Sequence, residues 1–293
     1  MKCLSPLRLK QKPPVDAFGR QPKGYVFVDV PCGKCVACLS NRKRDWVFRL
    51  KEEFKRCTSA AFVTLTYAPE FLPMSENGFP TLTVDDCQKF MKRLRFNLNC
   101  KTIRYFLVGE YGSETLRPHY HALIFNFPVR TDVYEECTKA WKKGGVYVGS
   151  VSDASIEYVC KYILVGGVYG DIREEFKSYG VMLPFMRCSR RPAIGKCYLT
   201  DSSVAYHQDN DTLISVQDGR KILLPRYYRN KIFDGVSLER LNSESKACAE
   251  ASESDRLAKY EKYGPLKAAQ ILYDEQCEIL RKVSKQFKLN RNL

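Results

Sequence analysis

Apolar and polar residues recur along the chain with the periods of helices and strands. From Ser40 onwards, apolar residues fall on one face of a helix and basic residues occupy the rest of it. The apolar face consists of Trp46, Val47, Leu50 and Phe54. Residues 61–67 (AFVTLTY) alternate between apolar and hydroxyl side chains, which predicts a strand. Residues 1–38 are rich in proline, glycine and cysteine, which predicts loops.

A second amphipathic helix is predicted after Thr83. Thr83 and Asp86 have the spacing of a capping box, in which two side chains bond to backbone N–H groups at the start of a helix. The apolar stripe of this helix is Cys87, Phe90, Met91, Leu94 and Leu98. Two neighbouring strands are predicted next, at residues 103–110 and 119–127.

The pattern continues with a helix at residues 133–143, a strand at 146–151 and a helix that ends at the glycine pair 166–167. Ser152 or Ser155 can cap this last helix. The order is strand, helix, two adjacent strands, helix, strand, helix. This order predicts an α+β fold, with a central antiparallel sheet and flanking helices, rather than a doubly wound parallel sheet.

These patterns predict three parts. Residues 1–58 hold a cysteine-rich segment and the first basic helix, and residues 59–170 hold the α+β core. Residues 171–293 form a C-terminal region whose pattern is weak, except for two charged helices at 237–263 and 265–289. A Gly-Pro pair separates these two helices, because proline interrupts a helix interior.

Charge and cysteine usage narrow the class of protein. The chain has 48 Lys+Arg against 33 Asp+Glu, a net charge of +15, which favours a polyanionic partner such as nucleic acid. A basic protein without a specific partner has the same composition. The N-terminus lacks the apolar region of a secretory signal, and no apolar run approaches the ~20 residues of a membrane span. We therefore expect a cytoplasmic protein, away from membranes, whose 13 cysteines are mostly reduced or bound to metal.

Two of the three histidines form the sequence His119-Tyr120-His121 within a predicted strand. Side chains two apart on a strand point to the same face, so both imidazoles share one side of the sheet. If the two neighbouring strands pair as a hairpin, Glu110 lies opposite or nearly opposite His119, with Cβ atoms ~4.5–5.5 Å apart. Two imidazoles and one carboxylate leave coordination positions for phosphate oxygens and water. The alternative is a pair of histidines that only form hydrogen bonds at the sheet surface.

The last helix of the core carries Tyr158, Lys161 and Tyr162 at the spacing of one helix face. A phenol with a pKa of ~10 is a weak nucleophile, but a nearby ammonium favours the phenolate and a metal-polarised phosphate makes attack easier. The alternative is two aromatic residues packed into the core. The basic chain, the predicted metal site and Lys161 favour a nucleophilic role.

Three blocks occur in a fixed order: FVTLTY at 62–67, GEYGSETLRPHYHALIF at 109–125 and YVCKYI at 158–163. With them, the sequence resembles the His-hydrophobic-His superfamily of rolling-circle replication initiators. Within that superfamily it is similar to the initiators of gokushovirus-type microviruses. The runs PCGKCVAC at 31–38 and LPRYYRNKI at 224–232 also resemble this phage group.

The resemblance implies a metal-dependent nicking reaction. The implied ligands of Mg²⁺ or Mn²⁺ are Glu110, His119 and His121. One or both of Tyr158 and Tyr162 would attack single-stranded DNA, leaving a 5′-phosphotyrosine and a free 3′-hydroxyl, and would later religate the strand. The spacing of Tyr158 to Lys161 matches members of the superfamily that have one tyrosine.

The implied partners are single-stranded DNA and replication-origin DNA in the cytoplasm of a bacterial host. The sequence has neither a helicase block nor a G-x-x-x-x-G-K-[ST] loop, so a host helicase and polymerase are expected to unwind and copy the DNA. The basic residues expected to contact DNA are Arg42, Lys43, Arg44, Lys92, Arg93, Arg95 and Arg117.

Cysteines 32, 35 and 38 form a compact C-x₂-C-x₂-C run, which Cys3 would complete to the four soft ligands of a structural zinc site. The spacing is also that of an iron–sulfur run, although the cysteine that usually follows three residues later is absent. Cysteines without any metal are the third possibility.

A rival function is a non-catalytic, zinc-containing DNA-binding regulator in which the histidines are structural. Such a protein does not need the combined set Glu110, His119, His121, Tyr158 and Lys161. A denaturing gel distinguishes the two functions, because a covalent adduct with DNA survives detergent and a bound complex does not.

Overall fold

The computed structural model describes residues 3, 5–13, 19–112, 115–168, 173–259 and parts of 263–278. The strands are β1 (Leu7–Gln11), β2 (Val26–Val30), β3 (Ala60–Thr66), β4 (Arg104–Tyr111), β5 (Pro118–Phe125), β6 (Val146–Ser150), β7 (Phe185–Cys188), β8 (Ile214–Gln217) and β9 (Arg220–Leu223). The helices are α1 (Val36–Arg56), α2 (Val84–Asn97), α3 (Val133–Trp141), α4 (Asp153–Val168), α5 (Arg173–Ser178), α6 (Asp201–Asp209), α7 (Arg226–Ile232) and α8 (Gly235–Lys259).

The central sheet has the strand order β6-β3-β5-β4-β7, and all neighbouring strands are antiparallel. Helices cover the sheet, so the predicted α+β fold is confirmed. Strand β7 was not predicted. Its four residues are too few to show a period, and pairing with β4 holds them in the sheet.

Each face of the sheet buries its own core. Helices α2 and α3 pack on one face, where Tyr120, Ala122 and Ile124 of β5 point. Helices α1 and α4 pack on the other face, where Leu123 and Phe125 point. The alternation of side chains along β5 therefore supplies both cores. His119 and His121 have the same parity as Leu123, which places them on the α1–α4 face.

The predicted capping box at the start of α2 does not form. Thr83 is the N-cap residue, but its side chain accepts no backbone hydrogen bond. Asp86 accepts a hydrogen bond of 2.7 Å from the Tyr67 hydroxyl and pairs with the Lys143 ammonium at 2.6 Å. The partners of Asp86 come from the end of β3 and from the segment after α3, so tertiary contacts replace the local cap.

The prediction of loops for residues 1–38 is wrong for β1 and β2, and α1 begins at Val36 rather than near Ser40. The two strands pair antiparallel, from Leu7 opposite Val30 to Gln11 opposite Val26. Both have alternating side chains (LRLKQ and VFVDV), but the prolines, glycines and cysteines around them obscure the pattern. We call β1 and β2 together the N-terminal hairpin.

The region after β7 builds a third core around Phe48 of α1. Its main buried side chains are Tyr198, Leu213, Leu224, Tyr228 and Ile232. Asp218 and Gly219 turn the β8–β9 hairpin with positive φ angles of 53° and 74°. Helix α8 corresponds to the predicted helix at 237–263, and most of the one predicted at 265–289 lies outside the described residues. Among the described helices, none combines the length and apolar character needed to cross a membrane.

Candidate metal and tyrosine site

Glu110 and the two histidines converge at one end of the β4–β5 pair. Glu110 is the register partner of His119, as the sequence predicted. The Glu110 Oε1 atom lies 2.8 Å from His119 Nε2 and 2.9 Å from His121 Nε2. One ligand atom from each of the three residues lies within 4.8 Å of the others. Glu110 and His121 are buried, and His119 is partly exposed.

The hydrogen bonds behind the two imidazoles favour a cation in front of them. His119 Nδ1 lies 3.2 Å from the Arg117 carbonyl oxygen, which can only accept, so Nδ1 carries a hydrogen. In the neutral ring, the Nε2 lone pair then faces the carboxylate oxygen of Glu110. Either a proton on Nε2 or a metal ion relieves this meeting of two acceptors, and outer partners of this kind orient metal-binding histidines.

Charge in the site follows from the same contacts. Burial alone would raise the pKa of Glu110, but hydrogen bonds from His119 and His121 outweigh burial and lower the pKa below its ordinary value. Burial would also lower the pKa of His119, but the hydrogen bond and charge of Glu110 raise it above its ordinary value. The three residues thus present an ionised carboxylate toward a site that attracts positive charge.

Helix α4 brings both predicted tyrosines to this end of the sheet. Ser152 and Ser155 act together at its start: each side-chain oxygen accepts a hydrogen bond from the other residue's backbone N–H, at 3.3 and 2.8 Å. The Tyr162 hydroxyl donates to the Tyr158 hydroxyl at 2.7 Å. Tyr158 remains 40% exposed, so its hydroxyl lies between the protein surface and the histidines.

Aromatic contacts join the tyrosines to the metal-binding group. The His121 ring is nearly parallel to the Tyr162 ring, with centroids 5.9 Å apart, and meets the Tyr158 ring edge-on at 5.3 Å. Phe62 of β3 stacks on the same imidazole at 5.5 Å. His121 is thus the physical link between the two predicted parts of the site.

Two residues that orient His121 were not singled out from the sequence. Phe62 stacks on its ring, and the Thr64 hydroxyl lies 2.9 Å from its Nδ1 atom. Thr64 is the register partner of His121 across β3 and β5. The signal was the alternation of β3 itself, which places Phe62 and Thr64 on one face, but it required the strand pairing to be known.

Lys161 lies beside both phenol rings. Its ammonium is 5.5 Å from the centroid of Tyr158 and 5.8 Å from that of Tyr162. Burial and the charge of Glu110 raise the pKa of Tyr158, and burial and the charge of Lys43 lower that of Lys161. The expectation that the ammonium alone makes Tyr158 a phenolate is therefore not met, because burial and Glu110 oppose it.

The arginines expected to contact DNA have different surroundings. Three of them donate to backbone carbonyls of this chain: Arg93 to Ala140 and Trp141, Arg95 to Ile103, and Arg117 to Tyr67. Lys43 pairs with Glu157 of α4 at 2.6 Å, and Arg44 pairs with Asp45 at 3.6 Å. Arg42 and Lys92 have exposed side chains. Contact with DNA stays a prediction for all of these residues.

Cys3, Cys32, Cys35 and Cys38 form a second group, in which the four sulfur atoms lie within 4.8 Å of one another. The chain brings Cys3 to the C-x₂-C-x₂-C run across the length of the N-terminal hairpin. Among the described residues, these four cysteines and the group of Glu110, His119 and His121 are the sets of side chains able to hold a metal ion.

Fold and site together define an α+β protein in which a His-hydrophobic-His pair and a glutamate lie beside a helix with two tyrosines. The chain belongs to the family of the replication-associated protein ORF2, whose model matches residues 60–165. The matched segment runs from β3 to α4 and contains all of these site residues.

Three similar proteins support this assignment. Replication-associated protein ORF2 of Spiroplasma virus 4 is 28% identical over 230 residues, which cover 72% of this chain and 70% of that protein. Replication-associated protein VP4 of Bdellovibrio phage phiMH2K is 30% identical over 222 residues, 68% of this chain and 66% of that protein. Replication-associated protein ORF4 of Chlamydia phage 1 is 30% identical over 178 residues, 54% of this chain and 43% of that protein. No solved structure matches the chain.

Proposed function

We propose that this protein initiates rolling-circle replication by nicking single-stranded DNA at an origin through tyrosine transesterification. The observation that carries the proposal is the contact of His121 with both Tyr158 and Tyr162, which places two candidate nucleophiles beside a candidate metal site. The names of the similar phage proteins support a role in replication.

Glu110, His119 and His121 would hold Mg²⁺ or Mn²⁺. When bound, the ion would draw charge from a phosphate oxygen and make the phosphorus more open to attack. The Arg117 carbonyl and the Thr64 hydroxyl hold the two imidazoles with their Nε2 atoms toward Glu110. This orientation is needed because each imidazole must offer its lone pair, not its hydrogen, to a cation.

A tyrosine would then exchange one phosphodiester for another. A bond forms between the phenol oxygen and phosphorus, and the bond from phosphorus to the 3′ oxygen breaks. The phenol loses its proton and the released 3′ oxygen gains one, so the 5′ end stays on the protein and the 3′-hydroxyl is free to prime synthesis. The energy of the broken bond is kept in the phosphotyrosine, so a later 3′-hydroxyl can reverse the step and close the strand.

The two phenols and Lys161 divide the remaining work. When Tyr158 attacks, the hydrogen bond from Tyr162 stabilises its phenolate oxygen. The Lys161 ammonium lies close enough to both rings to stabilise negative charge on either one. The hydroxyls are neighbours, so a modest movement of the DNA would present the phosphate to either tyrosine. A host helicase and polymerase would then unwind and extend the strand.

The decisive experiment incubates the full chain with a 5′- or 3′-labelled single-stranded oligonucleotide that contains the origin. Reactions with Mg²⁺, with Mn²⁺ and with EDTA are resolved on a denaturing gel. We expect a metal-dependent adduct that carries only the fragment 3′ to the cut, since the tyrosine takes the 5′ phosphate. A protein that shifts the same DNA on a native gel but forms no adduct would instead be the non-catalytic DNA-binding regulator.

A further inference from the structure

The four clustered cysteines lie where the N-terminal hairpin meets α1. Cys3 precedes β1 and Cys32 follows β2, so these two stand at the open end of the hairpin. Cys35 is the N-cap residue of α1 and Cys38 lies in its first turn. The Cys35 side chain forms no capping hydrogen bond, so it does not have the usual role of a side chain at that position.

The sulfur positions match the corners of a zinc tetrahedron. Cys3 Sγ lies 3.8 Å from Cys35 Sγ, and Cys32 Sγ lies 3.9 Å from Cys38 Sγ. A tetrahedral site with Zn–S bonds of ~2.3 Å has sulfur atoms about 3.8 Å apart. Disulfide sulfur atoms are only ~2.05 Å apart, so neither pair is bonded.

Backbone N–H groups also point at the sulfur atoms. Cys32 Sγ accepts from the N–H of Lys34 at 3.4 Å and of Cys35 at 3.3 Å, and Cys3 Sγ accepts from the N–H of Cys32 at 3.3 Å. Hydrogen bonds to a sulfur atom favour its thiolate form, which is the form that binds metal. The loop at residues 32–35 therefore folds around the sulfur of its own first cysteine.

We propose that Cys3, Cys32, Cys35 and Cys38 bind a structural zinc ion that fastens the N-terminal hairpin to α1. Four protein ligands close the coordination sphere, so this ion has no place for substrate and differs in kind from the ion beside the tyrosines. The hairpin needs such a fastening, because its strands are short and mostly exposed and an isolated two-stranded hairpin is marginally stable in water. Helix α1 in turn reaches the sheet through Leu50.

The test measures zinc and iron in the full chain purified without added metal. We expect about one zinc ion per chain and little iron. Cys35→Ser should lose the zinc, whereas the matched change Cys248→Ser, at an exposed cysteine of α8, should keep it. Removing zinc from the wild-type protein with a chelator should expose the hairpin to protease within residues 5–34 and leave the sheet protected.

Two results would overturn this proposal: zinc well below one ion per chain in freshly purified wild type, or full zinc retention in Cys35→Ser. Iron in place of zinc would assign the site to a different metal and also contradicts it. If Cys35→Ser is insoluble, the chelated wild type answers the question, because zinc added back should restore protease resistance. None of these measurements depends on nicking activity.

A separate observation concerns one face of the N-terminal hairpin. The register places Arg8 opposite Asp29 and Lys10 opposite Phe27, so these side chains share a face. Tyr25 joins them, since the Lys10 ammonium lies 4.1 Å from its ring centroid, and the Arg8 guanidinium lies 5.3 Å from that of Phe27. Tyr25 and Phe27 are 60% and 59% exposed.

We infer that this face binds single-stranded DNA outside the nicking site, a role that rests on the proposed function. Exposed rings give bases a surface to stack on and the two cations give phosphates a partner, a combination typical of binding to single strands. Asp29 is the acidic residue on this face, and Arg8 directly opposite offsets its charge. The face therefore suits a flexible polyanion with aromatic bases.

The test compares the double variant Tyr25→Ala/Phe27→Ala with Leu7→Ala/Leu9→Ala, which removes two exposed side chains from the opposite face of the same hairpin. Fluorescence anisotropy with a labelled oligothymidylate reports affinity without cleavage. We expect the aromatic variant to bind about tenfold more weakly and the leucine variant to bind like wild type.

Equal affinity of the aromatic variant and wild type, or equal losses in both variants, would overturn this role for the hairpin. Adduct formation at saturating origin oligonucleotide should persist in the aromatic variant. Loss of affinity with retained adduct formation would therefore locate the defect in the hairpin, whereas absence of adduct in wild type itself would reject the proposed function.

Discussion

The Tyr162 hydroxyl donates a hydrogen bond of 2.7 Å to the Tyr158 hydroxyl, so the two candidate nucleophiles meet at one place beside His121. They are one turn apart on α4, about 6 Å along the axis at ~1.5 Å per residue. Because the oxygens are neighbours, one tyrosine can hold a 5′ end while the other attacks a regenerated origin.

We therefore expect Tyr158→Phe and Tyr162→Phe each to retain some covalent adduct with a single-stranded oligonucleotide, and the double variant to retain none. The measurement is the fraction of labelled DNA bound to protein on a denaturing gel. Complete loss in one single variant alone would reduce the pair to one nucleophile, which we expect to be Tyr158 because of its spacing to Lys161. Adduct in the double variant would reject the mechanism.

His121→Ala should abolish cleavage in Mg²⁺ or Mn²⁺, because it removes a ligand and the ring that contacts both tyrosines. DNA affinity should change by less than about twofold, because affinity depends on charge spread over the chain. Glu110→Gln should weaken metal affinity less severely, since an amide oxygen can still coordinate. Nicking by His121→Ala at the wild-type rate, or an unchanged metal titration for Glu110→Gln, would remove that residue from the site.

Thr64→Val tests the orientation of His121. Valine has nearly the shape of threonine but cannot form the 2.9 Å hydrogen bond to Nδ1. We expect metal affinity to fall about tenfold with little change in thermal stability, as for other outer partners of metal-binding histidines. Thr66→Val is the matched control on the same strand, since its hydroxyl donates to the Gly145 carbonyl. Similar metal affinities for both variants would show that Thr64 has no orienting role.

Asp86 should contribute to stability in a pH-dependent way. Burial would raise its pKa, but hydrogen bonds from Lys143 and Tyr67 outweigh burial and lower it below 3.8. A lowered pKa means that the contribution is present above pH ~4 and is lost as the pH falls through the folded-state value. We expect Asp86→Asn to reduce the free energy of unfolding by about 1–3 kcal/mol near pH 7, and by less at pH 3.

Asp85→Asn is the control, because the exposed Asp85 carboxylate pairs with Lys89 on the surface, where such pairs contribute about 0–1 kcal/mol. Urea denaturation at both pH values measures the two variants. A difference between wild type and Asp86→Asn that does not shrink at low pH would show that ionisation of Asp86 is not the source of its contribution.

The sequence determined which side chains share a face. His119 and His121 are two apart on a strand, and Tyr158, Lys161 and Tyr162 are three and four apart on a helix. Both spacings follow directly from the geometry of a single element. The adjacent strands before and after residue 112 also made Glu110 the neighbour of His119, since a short connection favours a hairpin.

Tertiary structure decided how these elements meet. The position of α4 over the histidines, and the pairing of Thr64 with His121, depend on packing between segments that lie far apart in the sequence. Strand β7 and the N-terminal hairpin escaped prediction for the same reason. Their short segments gain order from the β4 edge and from each other, and we propose that zinc adds to the latter. Local periodicity cannot reveal a strand whose stability comes from a distant partner.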